Sequence, residues 1–170
     1  MEKHILFKER QRFSQWWLWL LLLALDGFFL YAVYTQRIKG IPFGAKPMTD
    51  NGLLVPSGIA LLVTLLFLLS RLDTEIRDDG VYVRFFPLHW AFKRYTWHDI
   101  SKVFVRQYHP LGEYGGWGIR GGFGSTGKAY NISGNKGLQL ELNDHSRLLI
   151  GTQKMDELSQ LLTRLDDIKR

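Results

Sequence analysis

The strongest constraint in this 170-residue chain is a pair of apolar runs within its first 70 residues. Residues 16–34 (WWLWLLLLALDGFFLYAVY) carry one charge, and residues 53–70 (LLVPSGIALLVTLLFLLS) carry none. As helices rising about 1.5 Å per residue, each spans a hydrocarbon core of about 30 Å. A cleaved signal peptide would have an apolar run of about 7 to 15 residues followed by a small-residue cleavage site, and residues 16–34 fit neither condition. A buried core helix is the alternative for the second run, whose uncharged length exceeds what such a helix needs. Pro56 falls in the first turn of that expected helix, where a missing N–H costs least. Residues 35–52 are polar, punctuated by Gly and Pro, and too short for a domain. The expectation is a transmembrane helical hairpin.

Basic residues set its orientation. Lys3, Lys8, Arg10 and Arg12 precede the first span and Arg71, Arg77 and Arg84 follow the second, against Arg37, Lys39 and Lys46 between them. That excess predicts a multi-pass protein of the cell inner (cytoplasmic) membrane with both termini in the cytoplasm. Trp16, Trp17 and Trp19 would then mark the inner interface and Tyr31 and Tyr34 the outer one. Asp26 lies near the middle of a span, where insertion costs about 2.5 to 3.5 kcal/mol, so it is expected to face protein. Folding the hairpin back brings Thr64 within about one turn of its depth. Two readings follow: a packing or oligomerisation role, with a protonated carboxyl bonded across the helices, and a transport role. Gly27 and Gly58 are positions for close helix approach. Residues 4–13 (HILFKERQRF) read as a topology-setting flank, or as a segment lying on an anionic membrane surface.

From residue 71 onward the pattern changes to short alternating strands. Asp79-Gly80 signals a hairpin between strands at 73–77 and 81–86, and further strands are expected at 90–97, 100–108, 117–123, 128–133, 138–142 and 147–151. Met155, Leu158, Leu161, Leu162, Leu165 and Ile168 then recur at helical spacing, predicting an amphipathic helix over 153–168 with Thr152 as its N-cap. Seven or eight strands and one helix make a barrel or sandwich with a helical cap. The chain therefore reads as an α+β membrane protein, with a flank and two spans in residues 1–70 and a cytoplasmic β domain in residues 71–170.

The Asp-Gly hairpin, WHDI opening a valine-rich strand, the Gly/Trp stretch, GLQLELND, and RLLIGT leading into KMDELSQLL resemble the bacterial pleckstrin-homology-like domains of small membrane proteins. The resemblance covers about residues 72–168. It implies a split barrel capped by a helix and tethered to membrane spans, and it supplies no catalytic residues. Relatives that bind inositol phosphates use basic residues around the first hairpin, where this chain has Asp78-Asp79-Gly80.

Net charge is +6, yet residues 71–170 hold fifteen Lys/Arg against twelve acids, interspersed along the strands. A nucleic-acid partner would call for a concentrated basic face, so none is expected. Without cysteine there is no disulfide, thiolate metal site or cysteine nucleophile. Residues 122–129 (GFGSTGKA) match a phosphate-binding loop until Ala129 replaces the magnesium-binding hydroxyl, and residues 116–121 (GWGIRG) match a dinucleotide fingerprint. Both lack the helix such loops open, so both read as turns. The five histidines lack metal-ligand spacing. Asn131-Ile-Ser133 is a glycosylation sequon that a cytoplasmic domain would leave unused.

Ten glycines between Gly112 and Gly137 leave the aromatics among them free to pack or to recognise a partner, and Tyr114, Trp117, Arg120, Phe123 and Tyr130 are the candidate partner-binding residues. Lys93, Arg94, Lys102 and Arg106 are the candidate contacts to anionic lipid. The leading expectation is a non-enzymatic membrane-anchored binding or scaffold protein, without a cofactor, whose partners are the bilayer and a membrane protein or a second copy. The alternatives are a lipid-headgroup module and an accessory subunit of a transporter using Asp26.

Overall fold

The structure is a computed structural model that describes residues 4–122 and 124–169. In chain order its elements are β1 (Ile5–Arg12), α1 (Trp16–Val33), α2 (Asp50–Leu69), β2 (Arg71–Arg77), β3 (Gly80–Phe86), β4 (Lys93–Thr96), β5 (Ile100–Gln107), α3 (Pro110–Tyr114), β6 (Gly118–Gly121), β7 (Lys128–Asn131), β8 (Lys136–Leu142), β9 (Arg147–Gly151) and α4 (Met155–Lys169). They form two compact units. One combines the chain up to Phe13 with everything from Ser70 onward, and the other is Ser14–Leu69. A boundary at residue 70 is therefore corrected: residues 5–12, expected to be a membrane-side flank, are a strand of the β domain.

In the α+β unit the described strands make two sheets and no closed barrel. The four-stranded sheet runs β1-β2-β3-β4 and the five-stranded sheet β5-β8-β9-β7-β6. All pairs are antiparallel except β7 with β9. The alternation legible in the sequence sends Leu72, Ile76, Val81, Val83 and Phe85 to one face of the first sheet, and Leu138, Leu140, Leu148 and Ile150 to one face of the second. These nine side chains are at most 3 % exposed. The turn joining β2 to β3 is Asp78–Asp79, one residue earlier than Asp79-Gly80. Gly80 opens β3 at φ +150°, where a Cβ would strike the Tyr95 carbonyl of β4.

The five-stranded sheet also uses its second face. Tyr108, Tyr114, Ala129 and Leu149 cluster there, with α3 started by Pro110 and stopped by Gly115 in the left-handed conformation. Buried Asn131 donates to the Tyr108 hydroxyl at 3.0 Å and accepts from the Gly118 N–H at 2.9 Å. Burial above all pushes the Tyr108 hydroxyl up to about 12.

β1 ties the two ends of the chain together. Phe7, Glu9 and Gln11 face inward while Lys8, Arg10 and Arg12 face out. Gln11 Nε2 donates to the Gly151 carbonyl at 2.7 Å, and the Glu9 carboxylate accepts from Thr152 Oγ1 at 2.6 Å and the Gln153 N–H at 2.8 Å. Thr152 is consequently not the N-cap of α4. The first helical bond goes to the Lys154 carbonyl, and Thr152 Oγ1 accepts the Lys154 N–H two residues on. Leu158 and Leu162 bury the inner stripe of α4, which packs on β5, β8 and β1; the side chain of Ile168 lies outside the described residues.

The second unit is an antiparallel helix pair. α1 continues as one π turn over Tyr34–Ile38. Gln36 braces the connection, its amide donating to the Met48 carbonyl and Asp50 Oδ1, both at 2.8 Å. Thr49 Oγ1 accepts the Gly52 N–H, which starts α2 at Asp50 and moves Pro56 beyond the first turn into the helix interior. Leu22 and Asp26 on α1 and Leu53, Ser57 and Ala60 on α2 are buried. Gly27 and Gly58 are not points of close approach, since a Cβ at either would meet nothing within 4 Å.

Candidate binding surface

The outer face of the four-stranded sheet gathers charges that are scattered in the sequence. Period-two alternation puts Lys8, Arg10 and Arg12 of β1, Arg71, Asp73, Glu75 and Arg77 of β2, and Tyr82, Arg84 and Phe86 of β3 on this one side. Register aligns them in rows: Arg12 with Arg71 and Phe86, Arg10 with Asp73 and Arg84, Lys8 with Glu75 and Tyr82. Arg94 of β4 follows Tyr82 in its row.

Two carboxylates hold this lattice. Asp73 accepts from Arg10 Nε at 2.6 Å and Arg84 Nη2 at 2.7 Å, with Arg71 Nε 3.3 Å away. Glu75 accepts from Arg77 Nη2 at 2.6 Å and pairs with Lys8 Nζ at 3.0 Å. Burial pushes both acids up, but hydrogen bonds from Arg84 and Arg10 to Asp73, and from Arg77 and Lys8 to Glu75, outweigh it and leave both below the usual carboxylate range. Such groups are poor proton donors at neutral pH. The cations are further fixed by ring faces, with Arg77 4.4 Å from Tyr82, Arg84 4.5 Å from Phe92 and Arg71 4.8 Å from Phe86.

Lys8, Arg10, Arg12, Arg71, Arg77, Arg84 and Arg94 thus share a face with Asp73 and Glu75. The surplus is positive. Pre-oriented guanidiniums with unused donors suit carboxylates or phosphates presented by a flat acidic surface.

The residues singled out from sequence do not converge. Tyr114 and Tyr130 are core, 2 % and 3 % exposed. Trp117 donates its indole N–H to the Gly134 carbonyl, and exposed Arg120 donates to the Trp117 carbonyl. Phe123 lies outside the described residues. Lys93 and Arg94 point to opposite sides of β4: Lys93 reaches the Tyr130 hydroxyl at 3.0 Å, while Arg94 pairs with Asp79 at 2.7 Å on the basic face. Lys102 sits over Phe104, and Arg106 is held by Glu113 at 2.7 Å on the five-stranded sheet. In the helix pair Asp26 is 7 % exposed, and neither its Oδ1 nor Thr64 Oγ1 has a hydrogen-bond partner, so the expected bond across the helices is absent.

The glycine motifs resolve into turns. Gly124–Thr126 is a single 3-10 turn and Lys128 begins a strand rather than a helix. A shallow depression of about 360 Å³ lies beside it, lined by Tyr95, Gly127, Lys128, His145 and Arg147 among others. The sequon Asn131 is fully buried, which closes it to glycosylation in the fold. Among the described residues no three His, Asp or Glu side chains converge as a metal site. The basic face is hidden in the sequence because Lys8, Arg10 and Arg12 precede the apolar runs and their partners follow them; the alternation in residues 5–12 is its one sequence signal. Compared with known proteins, the chain matches no family model, no curated protein and no solved structure.

Proposed function

We propose that this chain is a membrane-anchored binding protein without catalytic activity, whose helix pair crosses a bilayer twice and whose α+β domain offers its basic sheet face to an acidic segment of a membrane partner. The observation carrying this reading is the pairing of Arg12 with Arg71. Neighbouring strands of one sheet receive both ends of the apolar hairpin, so two spans must return the chain to the side it left. The helices support membrane residence because only 17 % of each apolar window is buried, whereas the core helix of a water-soluble protein is mostly covered. The exposed leucines, including Leu20, Leu21, Leu23, Leu62 and Leu68, need an apolar solvent. The excess of Lys and Arg at the outer ends of the hairpin favours the cytoplasmic side for the domain.

The basic face also bears on the kind of partner. Two copies meeting face to face would oppose like charges, which favours a hetero-partner with exposed acids. Purification of the intact chain in mild detergent tests this. A partner retained at low salt, released by high salt and lost from a folded Lys8→Glu/Arg94→Glu variant is the expected result. A monodisperse chain that carries nothing with it at any salt concentration would overturn the proposal.

A further inference from the structure

Arg12, Arg71 and Phe86 form the last row of the four-stranded sheet. From this row the chain leaves for α1 through Phe13, Ser14 and Gln15, and returns from α2 through Ser70 alone. At about 3.5 Å per residue those covalent paths reach no more than about 14 Å and 7 Å. The loop of residues 87–92 hangs from the same row, because Phe86 ends β3 and the chain re-enters the sheet at Lys93.

That loop does something unusual for a β domain. Leu88 is 61 % exposed and Trp90 80 % exposed, while His89 between them turns in against Tyr130, ring to ring at 5.3 Å. The His89 N–H donates to the Phe85 carbonyl at 2.7 Å, which holds the loop in this shape. Trp90 stands edge-on to Phe86 at 5.7 Å, and Phe86 carries the Arg71 guanidinium on its face. One end of the sheet therefore presents an indole, an isobutyl group and two arginines. The other end is the acidic Asp78–Asp79 turn. Indole and aliphatic groups beside guanidinium match the headgroup zone of an anionic bilayer, apolar parts reaching the acyl boundary and cations meeting phosphate.

We propose that the Leu88–Trp90 loop docks into the headgroup layer of the bilayer that the helix pair crosses, with Arg12 and Arg71 on lipid phosphates. This rests on the membrane reading of residues 14–69 and adds a second contact that fixes which end of the domain meets the lipid.

The chain has no cysteine, so single-cysteine variants take one label each. The intact protein in nanodiscs of mixed phosphatidylglycerol and phosphatidylcholine is spin-labelled at Leu88→Cys, Trp90→Cys, Asp78→Cys or Leu62→Cys, and its collisions with oxygen and with a water-soluble nickel chelate are measured. Labels at 88 and 90 are expected to fall several-fold below the label at 78 in nickel accessibility. They should move back toward it when Arg12 and Arg71 are both changed to Gln or the lipid is made wholly neutral. Equal accessibility at 78, 88 and 90 with a lipid-exposed label at 62 overturns the docking loop and leaves the membrane hairpin standing. A water-exposed label at 62 overturns both. Loop burial unaffected by the Arg→Gln changes and by lipid charge overturns the phosphate contacts.

Discussion

Arg12 and Arg71 face each other across β1 and β2, although the entire apolar hairpin lies between them in sequence. The helix pair is an insertion in a β-hairpin, and its removal is predicted to leave a foldable domain. Joining Arg12 to Arg71 through a short Asn-Gly turn should give a water-soluble protein with β-type circular dichroism and cooperative unfolding. The fragment 71–170, cut where the apolar sequence ends, should instead aggregate or remain unfolded. It lacks β1, exposes the edge of β2, and strips Thr152 and Gln153 of their carboxylate. If both fragments melt alike, β1 is dispensable to the domain.

Glu9 ties β1 to the segment that leads into α4 through one side chain. Its carboxylate, buried between β1 and the start of α4, accepts from Thr152 and Gln153. Glu9→Ala leaves the Thr152 O–H and the Gln153 N–H without their acceptor and is expected to cost about 1 to 3 kcal/mol. Glu9→Gln, which keeps an acceptor, should lose less. Thermal unfolding of the two variants in the same detergent checks the order.

Much of this architecture is legible without coordinates, and what is hidden has physical causes. The two apolar helices declare themselves by length and composition, and β2, β3, β5, β8 and β9 by alternation. β1 does not, because its buried face carries Glu9 and Gln11 beside Phe7, and the partners that make those polar groups acceptable lie at the far end of the chain. Five-residue α3 is too short to establish a period. The candidate surface was equally hard to read: Lys93 and Arg94 look like one basic cluster, yet strand pleat sends them to opposite faces. Of the two readings open for the aromatics among the glycines, packing or partner recognition, Tyr114 and Tyr130 take the first and fill the core.

The basic lattice should be acid-sensitive. Asp73 and Glu75 titrate in the folded domain below their ordinary values of 3.8 and 4.5. As pH falls, the unfolded chain therefore takes up protons before the folded one does. Their stabilisation is complete above the ordinary range and is lost as pH drops below it through the folded values. Asp73→Asn removes the anion among Arg10, Arg71 and Arg84; these remain partly hydrated, so the expected cost is about 1 to 3 kcal/mol, less than for a fully buried pair. Melting curves between pH 3 and 7 should show a shallower acid dependence in this variant than in the parent.

Asp26 stands apart from this network. In the helix pair it is buried with Oδ1 unbonded, and Thr64 Oγ1 is equally unbonded. A buried carboxylate oxygen with no hydrogen-bond partner opposes assembly of the hairpin, whereas a leucine of similar bulk leaves no polar atom to satisfy. Asp26→Leu is accordingly expected to stabilise the hairpin by about 1 to 3 kcal/mol. Asp26→Asn, which retains the unsatisfied polarity, should change stability little. Both variants can be compared by thermal unfolding of the intact chain in one detergent. A stabilised Asp26→Leu protein that also stops binding its partner would mean that the residue is kept for what it does rather than for what it holds together. If Asp26→Leu destabilises the hairpin, the carboxyl has a bonding role in the folded pair and the unbonded geometry is not its resting state.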